Sequence, residues 1–373
     1  MTSAELNALT TQVLWAAFAV GIAFGALVQR TGFCTMGAVS DAVAMGDFTR
    51  LRQWALAAAV ATLGFGLFSA TGVLRAPQTL YASPRWLWLS AIVGGGLFGF
   101  GMVLSSGCVS KTLVRVGAGS LKSLVVLIVA GFAAFATLRG VTAVWRVATV
   151  DRVGPEFSVN ADLASLLAHG TGMAQTLASI VGAAVVGGAL LVFALGSRES
   201  RKPINLLAGA GIGVLVLAMW WITGHFGHLA EHPETLEEAW LATNSRRAEG
   251  LSFVSPAAYA IDWVIFFSDA SKRLTVGILS VVGVIVGSAV MSLARRRFKW
   301  EGFANTPDLG HHLVGGVLLG VGGVTAMGCS IGQGVTGLST LTLTSFVAAA
   351  AMIAGAVAGV KYQMWRLERD AGS

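Results

Sequence analysis

Nine apolar runs of helical length alternate along the chain with short polar stretches. They fall at about 10–29, 53–74, 86–104, 121–140, 173–195, 204–222, 274–293, 313–327 and 341–361. Within each run the apolar residues are continuous rather than alternating, so they predict helices and exclude the strands of a membrane barrel. Several runs are shorter than the roughly 20 residues of a full crossing. Helices of that length stop near the midplane and leave the loop beyond them inside the protein. The polar stretches at 141–171 and 223–272 predict short amphipathic helices and loops, neither large enough to stand alone. The expected architecture is a single all-α transmembrane domain over residues 1–373.

One stretch returns. Gly94 to Cys108 reads GGGLFGFGMVLSSGC, and 221 positions later Gly315 to Cys329 reads GGVLLGVGGVTAMGC. Eight of the fifteen positions are identical, among them Gly94, Gly99, Gly101, Gly107 and Cys108. Glycine is abundant (48 of 373 residues), but the chain has only three cysteines, so the cysteine match carries the weight. The third, Cys34, closes a similar glycine-spaced approach that starts at Gly21. Each approach predicts an apolar helix with small residues on its packing face, broken where Gly32, Gly107 or Gly328 precedes a thiol.

Composition agrees with the pattern. The chain is 55% hydrophobic and 12% charged, with mean hydropathy +0.74, against roughly 25% charged residues in soluble domains. A net charge of +7 raises nucleic acid as a partner, but the basic residues sit at the ends of apolar runs. That is the pattern of membrane topology and excludes a nucleic-acid surface. With the N-terminus outside, sixteen of the 25 Lys and Arg residues fall in inner segments and nine in outer ones, which predicts N-out and C-in. The first basic residue is Arg30, so the first run is expected to be a retained span and not a signal peptide. In this orientation the run ending at Cys108 points inward and its copy ending at Cys329 points outward. Residues of about 10–140 and 204–361 are then inverted repeats linked by the span at 173–195, the plan of secondary transporters and of some channels. Thr223-Gly224-His225-Phe226 is a weaker echo of Thr31-Gly32-Phe33-Cys34 that has lost its cysteine.

The candidate chemistry lies at the breaks. Three cysteines without a Cys-x-x-Cys do not make a disulfide framework. Thiolates suit soft metal ions, yet no histidine or carboxylate lies within a few residues of Cys108 or Cys329. One cysteine in a membrane helix is ordinarily a small apolar filler. Three at glycine-rich breaks, two of them in register, point instead to an uncharged site for a soft, sulfur-bearing solute. The loops SGCVSK (Ser106 to Lys111) and GCSIGQG (Gly328 to Gly334) also open new helices, whose free N–H groups favour anions. Gly32, Gly107, Lys111, Arg115, Gly328 and Gln333 are the supporting loop residues, with Lys111 and Arg115 marking an anion path on the inner side. No metal or other cofactor is expected. His225, His228, Glu231 and His232 have helical spacing but match no specific metal motif. Trp220 and Trp221 read as packing or interfacial aromatics, and Asp41, Asp47, Asp262 and Asp269 as surface or capping groups near span ends.

Three segments together resemble the YeeE/YedE sulfur-transport family: RTGFCTMGAVSDAVAMGDFTR (Arg30 to Arg50), LSSGCVSKTLVRVGAG (Leu104 to Gly119) and GVTAMGCSIGQGVTGLS (Gly323 to Ser339). The resemblance covers almost the whole chain. It implies uptake of thiosulfate, or a similar small reduced-sulfur anion, across the bacterial inner membrane. It also implies an hourglass-shaped helical fold whose loops plunge to a central constriction, with Cys34, Cys108 and Cys329 as the functional thiols. A small sulfurtransferase of the TusA type, encoded beside or fused to some members, is the partner it implies. Val109 and Ser330 follow the cysteines where some members have proline. The rival reading of the residues is a membrane thiol-disulfide oxidoreductase, which needs paired thiols that cycle through a disulfide.

Overall fold

The computed structural model describes residues 2–233, 235–269 and 271–371. Among them the chain forms helices α1 (Ser3–Thr31), α2 (Thr35–Met45), α3 (Thr49–Thr71), α4 (Trp88–Leu104), α5 (Val109–Gly117), α6 (Leu121–Arg139), α7 (Val141–Ala148), α8 (Leu163–Thr171), α9 (Gln175–Leu195), α10 (Pro203–Trp221), α11 (Val254–Ile265), α12 (Val276–Ala294), α13 (Thr306–Thr325) and α14 (Leu343–Ala371). Two π-helical segments, Ile222–Phe226 and Gly332–Gly337, extend α10 and follow Cys329. A two-residue hairpin, His228–Leu229 with Ala239–Trp240, is the one small sheet among the described residues. All nine apolar runs are helices. Among the described residues eight segments are long and apolar enough to cross a membrane, so the protein is an all-α, multi-pass integral membrane protein. The ninth run is α13. Asp308, His311 and His312 make its first turns polar, and it is wedged between α4 and α6.

The fold is built on the crossing of α4 and α13. A Cβ on Gly94 would lie 2.7 Å from the carbonyl oxygen of Gly322, and one on Gly101 3.0 Å from that of Gly315. Gly322 and Gly315 return these contacts at 2.7 and 2.9 Å, so the helices run antiparallel with their backbones touching. The shift of 221 that aligns the two sequences exchanges the two contacts, because Gly94 matches Gly315 and Gly101 matches Gly322. The outer flanks of the pair repeat the relation. Gly99 presses on the Met352 carbonyl of α14 (2.1 Å to an added Cβ), and its counterpart Gly320 on the Ala130 carbonyl of α6 (2.3 Å). Without a hydrophobic force between helices in lipid, such close backbone packing is a main source of association. Gly25 and Gly287 join α1 to α12 in the same manner, and Gly209 joins α10 to α3.

The connecting loops knit into two separate sets. On the face where the chain starts, Thr79 bridges to Ala248 and Arg85 to Glu156. On the face that holds the end of α14, Ser120 bridges to Glu301 and the Lys122 Nζ meets Glu301 Oε1 at 2.6 Å. The stretch at 141–171 folds as predicted into two short helices, and α7 leaves Val141, Val144 and Trp145 exposed. Asp47 and Asp269 accept backbone N–H groups from Thr49 and Ser271, while Asp41 and Asp262 pair with Arg50 and Lys272. Trp220 is fully buried between Phe65 and Tyr81, whereas its neighbour Trp221 is exposed and stacks on Phe226. His228 Nε2 meets Glu238 Oε1 at 2.8 Å. Among the described residues no group of three His, Cys, Asp or Glu side chains could hold a metal ion.

Candidate functional site

α4 and α13 end identically. Ser105 N–H donates to Gly101 O and Gly107 N–H to Met102 O; Ala326 and Gly328 make the matching bonds to Gly322 and Gly323. The residue in the left-handed region is Ser106 (φ 57°) in one copy and Met327 (φ 60°) in the other, not a glycine. The sequence predicts the breaks at Gly107 and Gly328; the left-handed residue of each lies one position upstream. Those two glycines serve close packing instead. An added Cβ would lie 3.3 Å from the Lys111 side chain at Gly107 and 3.2 Å from that of Gln333 at Gly328. Only the first break uses glycine for its conformation, with Gly32 at φ 72° ending α1.

Each break delivers a cysteine to the start of a new helical segment. Cys34 caps α2, and its Sγ accepts the Gly37 N–H at 3.4 Å. Cys108 caps α5, with its Sγ 3.1 Å from Ser110 Oγ. Cys329 opens the turn into the second π segment; its Sγ accepts the Gly332 N–H at 3.3 Å and lies 4.0 Å from Ser252 Oγ. Cys108 and Cys329 are buried, Cys34 is half-buried, and all three are free. Cys108 is within electrostatic reach of both other thiols, and Cys34 is within reach of Lys111 and Arg115. The fold thus sets each thiol at the start of a helical segment, where free N–H groups carry partial positive charge, with Lys111 and Arg115 in the helix that Cys108 opens.

Gln333 has a different part. Its Nε2 donates to Ala326 O and its Oε1 accepts from Ser345 Oγ, both at 2.6 Å, and it is fully buried. It holds the frayed end of α13 to α14 and supports the loop from within. Ser110 lies two positions past Cys108, inside the loop SGCVSK. Two further residues had no sequence signal, Tyr81 and Ser252, which come from loops far from Cys329 in the chain. The Tyr81 hydroxyl donates to the Gly332 carbonyl, and burial beside Cys329 pushes its phenol well up. A cavity of about 210 Å³ on the chain-start face is lined by Tyr81, Ser252, Glu249, Asn244 and Met327, and so reaches the Cys329 loop. The Glu249 carboxylate accepts N–H groups from Asn244 (2.9 Å) and Ser245 (2.6 Å), while burial pushes its pKa up.

Helices broken within the bilayer, with their N-termini turned to a buried polar cluster, are the architecture of membrane transport proteins. The chain belongs to the sulphur transport family, whose pattern matches residues 30–358. It is 27% identical over 354 residues to "Thiosulfate transporter TsuA" of Spirochaeta thermophila, covering 92% of this chain and 97% of that protein. To "Thiosulfate transporter TsuA" of Escherichia coli it is 27% identical over 345 residues, 90% of each. A shorter match, 32% over 112 residues, joins 30% of the chain to 26% of "Probable transporter YedE" of Salmonella typhimurium.

Proposed function

We propose that this protein carries thiosulfate, or a closely similar reduced-sulfur anion, across the bacterial inner membrane along a path lined by Cys34, Cys108 and Cys329. The observation that carries the reading is that each of three free thiols stands at a helix break, at the start of a new helical segment. The full-length similarity to two proteins named as thiosulfate transporters supports the substrate. An inverted repeat of residues of about 10–140 and 204–361 accounts for the exchanged glycine contacts of α4 and α13. In the N-out orientation Ser252 and the cavity beside Cys329 face the entry side, and Lys111 and Arg115 the exit side. A soluble sulfurtransferase of the TusA type would receive the anion there. The oxidoreductase reading needs two thiols that cycle through a disulfide, and a stoichiometric Cys–Cys bond found by mass analysis under non-reducing conditions would favour it.

Growth tests the function. A strain unable to import thiosulfate, supplied with thiosulfate as its only sulfur source, should grow when it expresses this chain. Failure to grow despite normal membrane levels would overturn the proposal.

Sidedness is a separate expectation. A reporter fused after Arg369 should be cytoplasmic, and one inserted near Glu237 should be exported. The reverse pattern would invert the entry and exit sides assigned above.

A further inference from the structure

Two cavities stack on the membrane-facing side of α6, α11 and α12. The deeper is a groove of about 380 Å³ lined by apolar side chains alone, among them Phe132, Ile261, Val264, Val282 and Ile285. The upper, of about 360 Å³, lies toward the chain-start face and gathers Arg139, Arg246, Lys272 and Arg273 around one carboxylate, Asp262. The same three helices wall both. α6 runs from Phe132 in the groove to Arg139 above it, α11 turns Ile261 to one and Asp262 to the other, and α12 passes Ile278 above before Val281 and Val282 below. Asp262 is already taken, because its Oδ2 holds the Lys272 Nζ at 2.6 Å. Among the described residues no carboxylate pairs with Arg139, Arg246 or Arg273. Three guanidinium groups thus stand over an apolar slot open to the bilayer, where Phe132, Val264 and Val282 are exposed.

We infer that this two-level site holds one anionic phospholipid, its acyl chain in the groove and its headgroup phosphate on the arginines. Size and chemistry fit together. Seven residues of helix separate Phe132 from Arg139, about 10 Å along the axis, which is the scale from a headgroup phosphate to the first methylenes of a chain. Guanidinium binds phosphate oxygens through two parallel N–H donors. A zwitterionic lipid would bring its own cation into the cluster and gain less. The short α11, at 12 residues too short to cross alone, would be braced against α6 and α12 by the lipid.

The test is lipid retention by the purified full-length protein. After delipidation in neutral detergent, phosphatidylglycerol and phosphatidylcholine of matched chains are added and bound lipid is counted by native mass spectrometry. Phosphatidylglycerol should be retained preferentially, and Arg139→Gln and Arg273→Gln should each weaken it about five-fold, at about 1 kcal/mol per cation near a lipid surface. Val282→Trp, which fills the groove without touching the cations, should displace the lipid while leaving the fold intact. Equal retention of the two lipids, or no effect of any of the three substitutions, would overturn the assignment. So would inorganic phosphate raising the melting temperature as much as phosphatidylglycerol in the wild type but not in Arg139→Gln, because the upper cavity would then be a free-anion site.

Discussion

Replacing Cys108 with alanine is expected to remove most uptake, on the order of tenfold or more, with smaller losses for Cys34→Ala and Cys329→Ala. Thiosulfate is a dianion with a soft terminal sulfur, and it must shed most of its water to pass a narrow constriction. A strong cationic trap there would hold it too well, since conduction requires sites weak enough to leave. Thiols among apolar groups keep their protons at neutral pH. As S–H donors they can satisfy the anion without repelling it, whereas thiolates would repel. Hydrogen bonds to charged groups are worth about 1.5–3 kcal/mol, and losing one in the transition state of passage costs about tenfold per 1.4 kcal/mol. Cys108 should matter most because it is buried at the break that opens α5, the helix that also carries Lys111 and Arg115. Cys108→Ser should rescue little, its hydroxyl being harder and more firmly hydrated. Uptake of labelled thiosulfate into cells or proteoliposomes reads all of these. Wild-type transport by the triple alanine variant would make the thiols packing residues and end this mechanism.

Gly99→Leu and Gly320→Leu are expected to cost folded protein rather than rate alone. An added Cβ at Gly99 would lie 2.1 Å from the Met352 carbonyl oxygen and 2.8 Å from the Ala356 nitrogen. At Gly320 it would meet the Ala130 carbonyl at 2.3 Å and the Ala134 nitrogen at 2.7 Å. These neighbours are helix backbone, which cannot rotate aside, so the helices must part. Overpacking typically costs about 1–3 kcal/mol and more where nothing can yield, and it would also forfeit the van der Waals contact that holds helices together in lipid. Monodisperse protein recovered in mild detergent should fall about tenfold. Gly188→Leu on α9, where an added Cβ meets nothing within 4 Å, is the control that should be recovered normally. Wild-type recovery and uptake for Gly320→Leu would mean that α13 does not rest on α6 as described.

Much of this was legible in the residues. Nine apolar runs gave nine helices because helical hydrophobicity is a local property, and the bilayer leaves few alternatives for the backbone. The 221-residue shift that pairs Cys108 with Cys329 also relates the exchanged glycine contacts and the matched hydrogen bonds of the two breaks. Lys111 and Arg115 were visible as cations past Cys108 because they follow it within one short helix. Other features could not be read this way. The left-handed residue at each break is Ser106 or Met327, since a break stabilised by surrounding packing does not need the residue that would favour it in isolation.

The sequence by itself determined where the helices lie, where they break and which three atoms are the candidate chemistry, because each depends on residues within one or two turns. Only the tertiary structure decided which groups meet those atoms. Ser252 stands beside Cys329 across 77 positions of chain, and Tyr81 reaches Gly332 across 251. Gln333 turns away into bonds with Ala326 and Ser345. The arginines stand over an apolar groove because α6, α11 and α12 pack side by side. Such meetings follow from how closely glycine-faced helices approach and at what register, and that is fixed by the packing of the whole bundle rather than by any one segment.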